Sequence, residues 1–334
     1  MAMARLAALV VLAAAAPAGK PPLRVWHITD VHVDPWYVAG ADATTCYCEI
    51  TKPSGAHPGC DQPTTCAPPE AACNCSLTHH GGTPNTPNGT AAPFGNSEGN
   101  CATPTSLYES ALQFMRSGRV GSGGAAGAPL VYFTGDFAEA GASYPCDGTV
   151  NMSVAQEQIN AIISYDWDAL RAALPNATVL GALGNHDAVP GDVYHGTARQ
   201  GWLYNHLAKV WAPDLAHEPE ALASVRKGGW FSTRPIPGLT VISLNINYWE
   251  TLNPQTADPT SSASKLGEQQ FVWLEAALQA AESAGDKVHI IGHEPPGPNP
   301  RESNNGLPHH LTTRSPDVGL VDRCCQQLGQ GTRG

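Results

Sequence analysis

Residues 178–187, TVLGALGNHD, run apolar as far as Leu183 and then break, after Gly184, into an amide, an imidazole and a carboxylate. A short run without polar alternation suits a strand buried on both faces. Polar groups at the end of such a strand are costly unless something holds them. In open α/β sheets that something is usually a ligand, bound outside the carboxyl ends of the strands. The pattern recurs along the chain. Residues 23–29 run into Asp30-x-His32, 130–134 into Gly135-Asp136, and 287–291 into Gly292-His293, and a further apolar run lies at 239–246. The glycines let the backbone turn where each polar group must project.

Helical patterns alternate with these strands. A capping box, Ser153-x-x-Gln156, opens a helix predicted to run to about residue 174. A second is predicted over 268–283, with Phe271, Leu274, Leu278 and Ala281 on one face and Gly285 as its stop signal. A shorter one, near 106–117, ends at Gly118. Strands alternating with helices indicate an α/β layered fold, and one mixed sheet or a pair of sheets is equally compatible with the pattern.

The 334 residues suffice for one large α/β domain or two small ones. Residues 19–300 read as one domain, with 301–334 as an irregular tail. Charged residues make up 14%, while 34 glycines and 29 prolines indicate many loops. A net charge of −11 argues against a nucleic-acid polymer or an anionic membrane as the main partner, so any membrane contact is expected to be peripheral. The start, MAMARLAALVVLAAAAPAGK, has the basic, apolar and small-residue regions of a secretory leader, residues 1–18, with cleavage after Ala18. The alternative is an N-terminal anchor, for which the apolar run is short. Export to the cell exterior or a lysosome-like compartment agrees with ten cysteines, seven of them between Cys46 and Cys101. Sequons at Asn74, Asn88, Asn151 and Asn176 agree with it too. Residues 38–104 read as a Cys-rich disulfide insertion. A metal cluster is the alternative, but the one-residue gaps of Cys46-x-Cys48 and Cys73-x-Cys75 are tighter than zinc-knuckle spacing. Residues 118–127 read as a flexible Gly/Ser/Ala loop.

Asp30, His32, Asp136, Asn185 and His293 form a mixed oxygen and nitrogen ligand set. Such a set suits zinc, manganese or iron better than calcium. Five candidate ligands, one a carboxylate able to bridge, exceed one tetrahedral site and point to a two-metal centre. Asp30 and His32, two apart, share a side wherever the chain stays extended. Asp187 reads as a residue that caps or orients its loop. Asp34, before Pro35, reads as a turn former or as support for a ligand histidine. Trp36, Tyr37, Tyr194, Tyr248 and Trp249 are open between lining the mouth of the site and ordinary loop packing.

The ordered blocks D-x-H, G-D, G-N-H-D and G-H resemble those of the calcineurin-like metallophosphoesterases. More narrowly, WHITDVHVDPWY, GGWFSTRPIPGLTVISLNINYW and KVHIIGHEPPG are similar to the acid sphingomyelinase-like phosphodiesterases, over about residues 23–300. The resemblance implies a four-layer α-β-β-α sandwich and two divalent metal ions, zinc first. Asp30 and His32 would ligate one metal, Asn185 and His293 the other, and Asp136 both. His186 would face the substrate phosphate as the catalytic acid or charge stabiliser, and an activated hydroxide would attack phosphorus. The substrate implied is a small-molecule or lipid phosphodiester. Only a few residues separate the leader from the first strand, so no saposin-like domain is expected, which favours soluble or nucleotide phosphodiesters over sphingomyelin.

Two features depart from the family pattern. The family supplies one further ligand to each metal from a G-H-x-H block, and no G-H-x-H occurs here. The adjacent His309-His310 would face opposite ways in an extended chain. The histidine usual four positions past the bridging aspartate is replaced by Ala140. These departures raise the expectation of an incomplete or inactive member acting as a secreted glycoprotein scaffold. A phosphomonoesterase and a stand-alone Cys-rich interaction module are further alternatives.

Overall fold

The computed structural model describes residues 23–37, 39, 92–95, 102–117, 130–138, 152–250 and 252–294. In chain order the elements are β1 (Val25–Ile28), β2 (Val33–Asp34), β3 (Thr103–Pro104), α1 (Thr105–Ser117), β4 (Leu130–Thr134), α2 (Met152–Ala173), β5 (Thr178–Ala182), α3 (Thr197–Val210), α4 (Pro219–Gly228), β6 (Phe231–Ile236), β7 (Leu239–Ser243), α5 (Ser262–Ser283) and β8 (Lys287–Ile291). All lie in one compact unit, Met1–His293.

The continuous apolar runs became strands, and two of them, β4 and β7, are central, as covering on both faces requires. β4 and β7 are buried along their whole length. Two three-stranded sheets result, ordered β1-β4-β5 and β6-β7-β8. The first is all parallel, with Val25 opposite Leu130 and Leu130 opposite Thr178. The second is mixed. β6 and β7 form an antiparallel pair, while β7 and β8 run parallel with Leu239 opposite Lys287. Side chains tie the two sheets together: Ser243 Oγ donates to Gly181 O at 2.7 Å, and the Tyr132 hydroxyl meets His289 Nδ1 at 2.7 Å.

One apolar core spans both sheets. The Phe133 ring stacks on Trp167 at 5.0 Å, Phe137 meets Trp167 edge-on at 4.9 Å, and Trp211 lies 5.8 Å from Trp167. Gly181 makes room for this cluster: a Cβ there would sit 2.6 Å from Trp211 Cζ2 and 2.9 Å from the Trp167 ring. Burying large aromatic rings accounts for much of the stability of such a core.

Element boundaries differ from the sequence expectations in informative ways. The run at 239–246 leaves the sheet at Ser243, because Asn245 turns the chain into a 3-10 turn, its Oδ1 accepting from Asn247 N at 3.2 Å. α5 begins six residues before the predicted start, capped by Ser261, whose Oγ accepts from Ser264 N at 3.0 Å. α2 begins at Met152, so Ser153 lies inside its first turn rather than capping it. Helices α3 and α4 and strand β6 were not expected from the pattern.

The leader 1–18, the loop 118–127, most of the Cys-rich stretch 38–104, all ten cysteines, Ala140, His309-His310 and the tail 301–334 lie outside the described residues, as do three of the four sequons. Asn176, the fourth, is exposed in the turn after α2. Among the described residues no helix is long and apolar enough to cross a membrane.

Candidate metal centre

The carboxyl ends of β1, β4, β5 and β8 converge. Asp30 N donates to Gly135 O at 3.1 Å and His32 N to Asp136 O at 2.9 Å, so the segment after β1 follows the segment after β4 bond for bond. It does so without staying extended. β1 ends at Ile28, and Asp30, His32 and Asp136 all take left-handed backbone, with φ of 55°, 44° and 55°. Sharing a side by strand alternation is therefore not how Asp30 and His32 come together; two left-handed turns do it. Such backbone costs a non-glycine residue roughly 1–3 kcal/mol and persists where surrounding contacts enforce it, characteristically at functional sites.

Gly135 and Gly184 let the turns touch. A Cβ on Gly135 would lie 2.4 Å from Gly184 N, and one on Gly184 would lie 2.2 Å from Asp136 Oδ1. Asp187 locks the junction, accepting from Gly184 N at 2.7 Å, Phe137 N at 2.9 Å and Asp136 N at 3.2 Å. That matches the orienting role expected for it. Burial, then the neighbouring Asp136 charge, push its carboxyl up to about 7. Asp34 is buried and its Oδ1 accepts from Trp36 N at 2.8 Å, a turn-forming contact.

The side chains meet on one oxygen. His32 Nε2 lies 3.2 Å and His293 Nε2 3.3 Å from Asp136 Oδ2. The far nitrogen of each ring donates to a backbone carbonyl: His32 Nδ1 to Ala138 O at 3.0 Å, His293 Nδ1 to Thr134 O at 2.7 Å. A carbonyl only accepts, so both tautomers are set and both Nε2 atoms are left for the centre. Asn185 Oδ1 lies 3.0 Å from His293 Nε2. Ligand atoms of Asp30, Asp136 and His293 all lie within 4.8 Å of one another. His186 donates its backbone N–H to Asp136 Oδ1 at 2.9 Å, and its ring stands edge-on to His32 at 5.2 Å. All six residues singled out from the sequence are thus brought together.

Electrostatics favour a cation here. Burial works against charge on Asp136, yet His293 and His32 hold it well below the usual carboxylate range. Burial likewise lowers both histidines, but the Asp136 charge and hydrogen bond outweigh it, raising His32 to about 9 and His293 to about 10. Burial lowers His186, only partly offset by Asp136. Two imidazole nitrogens, oriented by carbonyls behind them, with two carboxylates and an amide oxygen, fit a borderline divalent metal.

A family model for calcineurin-like phosphoesterases matches residues 23–321. The chain belongs to the calcineurin-like phosphoesterases. It is similar to sphingomyelin phosphodiesterase of Bos taurus, at 31% identity over 289 residues, 82% of this chain and 37% of that protein. It is also similar to the human cyclic GMP-AMP phosphodiesterase SMPDL3A, at 30% identity over 86% of this chain and 52% of that protein. Human acid sphingomyelinase-like phosphodiesterase 3b matches at 27% identity over 88% of this chain and 53% of that protein. Within the calcineurin-like phosphoesterases the chain therefore falls in the acid sphingomyelinase-like subfamily. It spans about half the length, or less, of these relatives.

Several residues of this calcineurin-like phosphoesterase support the centre without having been foreseen. Asp192 accepts from Asn185 Nδ2 at 2.6 Å. Beneath the Gly184 turn, the Tyr194 hydroxyl donates to Gly184 O at 2.7 Å, and Asn247 Nδ2 reaches the same oxygen at 3.3 Å. Asn253 Nδ2 donates to Asn247 O at 2.8 Å, and Gln270 pairs with the Asn245 backbone through both ends of its amide, at 2.8 and 2.9 Å. Tyr194 and Tyr248 are buried, so neither lines a mouth. The one available signal was Asn245-x-Asn247, polar residues at the end of a buried strand like those of the ligand turns.

Proposed function

We propose that the chain is a secreted, metal-dependent phosphodiesterase, built on a four-layer α-β-β-α sandwich and acting on small soluble or nucleotide-type phosphodiesters in preference to sphingomyelin. The observation that carries this is the convergence of two tautomer-set histidines on one oxygen of buried Asp136, with Asp30 and Asn185 beside them. Asp30 and His32 would hold one divalent cation, Asn185 and His293 a second, and Asp136 both. Zinc suits the mixed donors, with manganese or iron next. Bound there, the cations supply Lewis acidity toward a phosphoryl oxygen and acidify water.

The chain's own groups do the rest. Thr134 and Ala138 carbonyls keep the two ligand imidazoles in the required tautomer. The His186 N–H fixes Asp136 Oδ1, while the His186 imidazole, beside His32, gives a proton to the leaving oxygen. Burial lowers His186, which makes its imidazolium the stronger acid toward that oxygen. A net charge of −11 disfavours polymeric nucleic acid and anionic lipid surfaces. The exposed Asn176 sequon is compatible with export. The relatives named for sphingomyelin and for cyclic GMP-AMP both carry phosphodiester substrates in their names, which supports the bond class.

Purified full chain titrated with zinc, then assayed on bis-(p-nitrophenyl) phosphate and p-nitrophenyl phosphate, tests the reading. Two equivalents of metal and turnover of the diester are expected. Asp136→Asn should lose more than the roughly 100-fold in metal affinity that an orienting partner is worth, with turnover at background. Metal uptake without turnover would instead indicate a binding scaffold, and turnover of the monoester alone a phosphomonoesterase.

A further inference from the structure

We propose that Asp192 is a positioning residue that decides which end of the Asn185 amide faces the metal centre; this rests on the two-metal reading above. Asn185 Nδ2 donates to Asp192 Oδ1 at 2.6 Å, and Asn185 Oδ1 lies 3.0 Å from His293 Nε2. An ionised carboxylate only accepts, so the NH2 end must take the Asp192 side. That leaves the oxygen, the end of a neutral amide able to bind a cation, on the side of His293 and Asp136. Without the carboxylate, a half-turn of the amide would present NH2 to the metal, and that group has no lone pair to offer.

The backbone around Asp192 is arranged to hold this contact. Asp192 N donates back to Asn185 O at 2.9 Å, so loop and turn are joined by two bonds running in opposite directions. Its φ is 62°. Asp30, His32 and Asp136 are the other non-glycine residues with positive φ among those described, and all three are candidate ligands. Asp192 shares their strained backbone without being one of the converging carboxylates, which suits a residue that acts through a ligand. The following residues are pinned on both sides. Gln200 Nε2 donates to Val193 O at 3.0 Å and Gln200 Oε1 accepts from His195 N at 2.9 Å, while the Tyr194 hydroxyl reaches Gly184 O. Aspartate is seven positions past Asn185, outside the G-N-H-D block, so no motif points to it.

The test compares wild-type full chain with Asp192→Gly and Asp192→Asn, each titrated with cobalt(II) by visible absorption and calorimetry. Melting in chelator reports the fold. Glycine removes the acceptor and tolerates the left-handed backbone. Asparagine also tolerates it but offers its neighbour either an oxygen or an NH2. The expected result is that Asp192→Gly weakens one of the two cobalt equivalents by about 10–100-fold and leaves the other unchanged, with Asp192→Asn in between. Unchanged cobalt affinity at both equivalents, or equal loss at both in a folded variant, overturns the proposal. If Asp192→Gly does not fold, Asp192→Asn decides: selective loss at one equivalent supports the proposal and an unchanged titration overturns it. A wild-type chain that takes up no cobalt refutes the metal reading itself and this proposal with it; wild-type uptake with an unaffected variant refutes this proposal alone.

Discussion

The ends of β1, β4 and β5 in the first sheet and the end of β7 in the second start from the same material, a buried apolar strand breaking into polar residues. At the ends of β1, β4 and β5 the break yields carboxylates and imidazoles on left-handed or glycine turns, and His32, with His293 from the end of β8, meets Asp136 Oδ2. At the end of β7 it yields Asn245 and Asn247, which turn inward and hydrogen-bond to each other, to Gln270 and to the carbonyls of Gly228 and Gly184, leaving Asn247 Oδ1 without a partner among the described residues. The difference is chemical. An amide carries both donor and acceptor and can close a network by itself, whereas carboxylates facing each other need a proton or a cation between them. A polar strand end becomes a ligand site when its groups cannot satisfy one another.

The largest expected effect breaks the contrast at its glycines. Gly184 has φ −96°, so Gly184→Ala meets no backbone penalty, but the new Cβ would lie 2.2 Å from Asp136 Oδ1 and 2.3 Å from its nitrogen. A loss of about 3 kcal/mol, at the upper end of overpacking costs, and loss of metal uptake are expected in denaturant and metal titrations. Gly292→Ala, before His293 in the second sheet, would meet one side-chain methyl rather than backbone, Ile246 Cγ2, at 3.0 Å. It should cost less than about 1.5 kcal/mol. Equal losses would mean the close contact of the first-sheet turns is not special.

Metal itself should act on one side of the comparison. At about 100 times Kd it should stabilise the fold by about 2.7 kcal/mol. Slower amide exchange is expected at Asp136 and Asn185, with little change over Ile246–Tyr248. Uniform slowing would erase the distinction. Asn247→Ala probes the other side: it removes the donor to Leu183 O and one of the two donors to Gly184 O, and should cost about 1–3 kcal/mol in chemical denaturation. Metal affinity should fall by less than the roughly tenfold an orienting partner is worth; a larger fall would make the amide network part of the site.

The smallest effect lies beneath the first sheet. Asp166 on α2 is wholly buried, and neither carboxyl oxygen has a hydrogen-bond partner among the described residues. Burial, then the nearby Asp187 charge, push it well above the carboxylate range. The folded chain therefore keeps a proton that the unfolded chain releases, so stability declines as pH rises above the ordinary carboxylate range. Asp166→Asn should be close to neutral near pH 4 and increasingly stabilising relative to the wild type as pH rises to 7. Thermal melts at the two values check the sign.

Reading the chain alone located much of this. β4 and β8 fall on the residues expected, β5 ends within one residue, and α1 starts one residue early, because continuous apolar runs and a glycine stop are strong local signals. α4 carries equally good punctuation, Pro219 in its first turn and left-handed Gly229 after it, but is short and has only Ala221, Val225 and Gly228 buried. α3 is harder, since Gln200 and Tyr204 occupy its buried face beside Leu203 and Leu207. Asp192 and Asn253 gave no signal, because a lone polar residue in a loop reads the same whether it is solvated or pinned.

What the sequence determined by itself is the chemistry: which residue types stand at the end of each buried strand, and in what order. Strand burial and turn glycines are local, so they are written in neighbouring residues. Only the tertiary structure decided that both imidazoles meet on one oxygen of Asp136, that Asp30 and His32 do so through left-handed turns, and that Asp192 holds the Asn185 amide. The first two depend on contacts between segments about a hundred or more residues apart, such as His32 with Ala138 and His293 with Thr134, and the third on a loop folded back over seven residues. Backbone carbonyls set those tautomers, and a carbonyl's position is fixed by packing rather than by the identity of its residue.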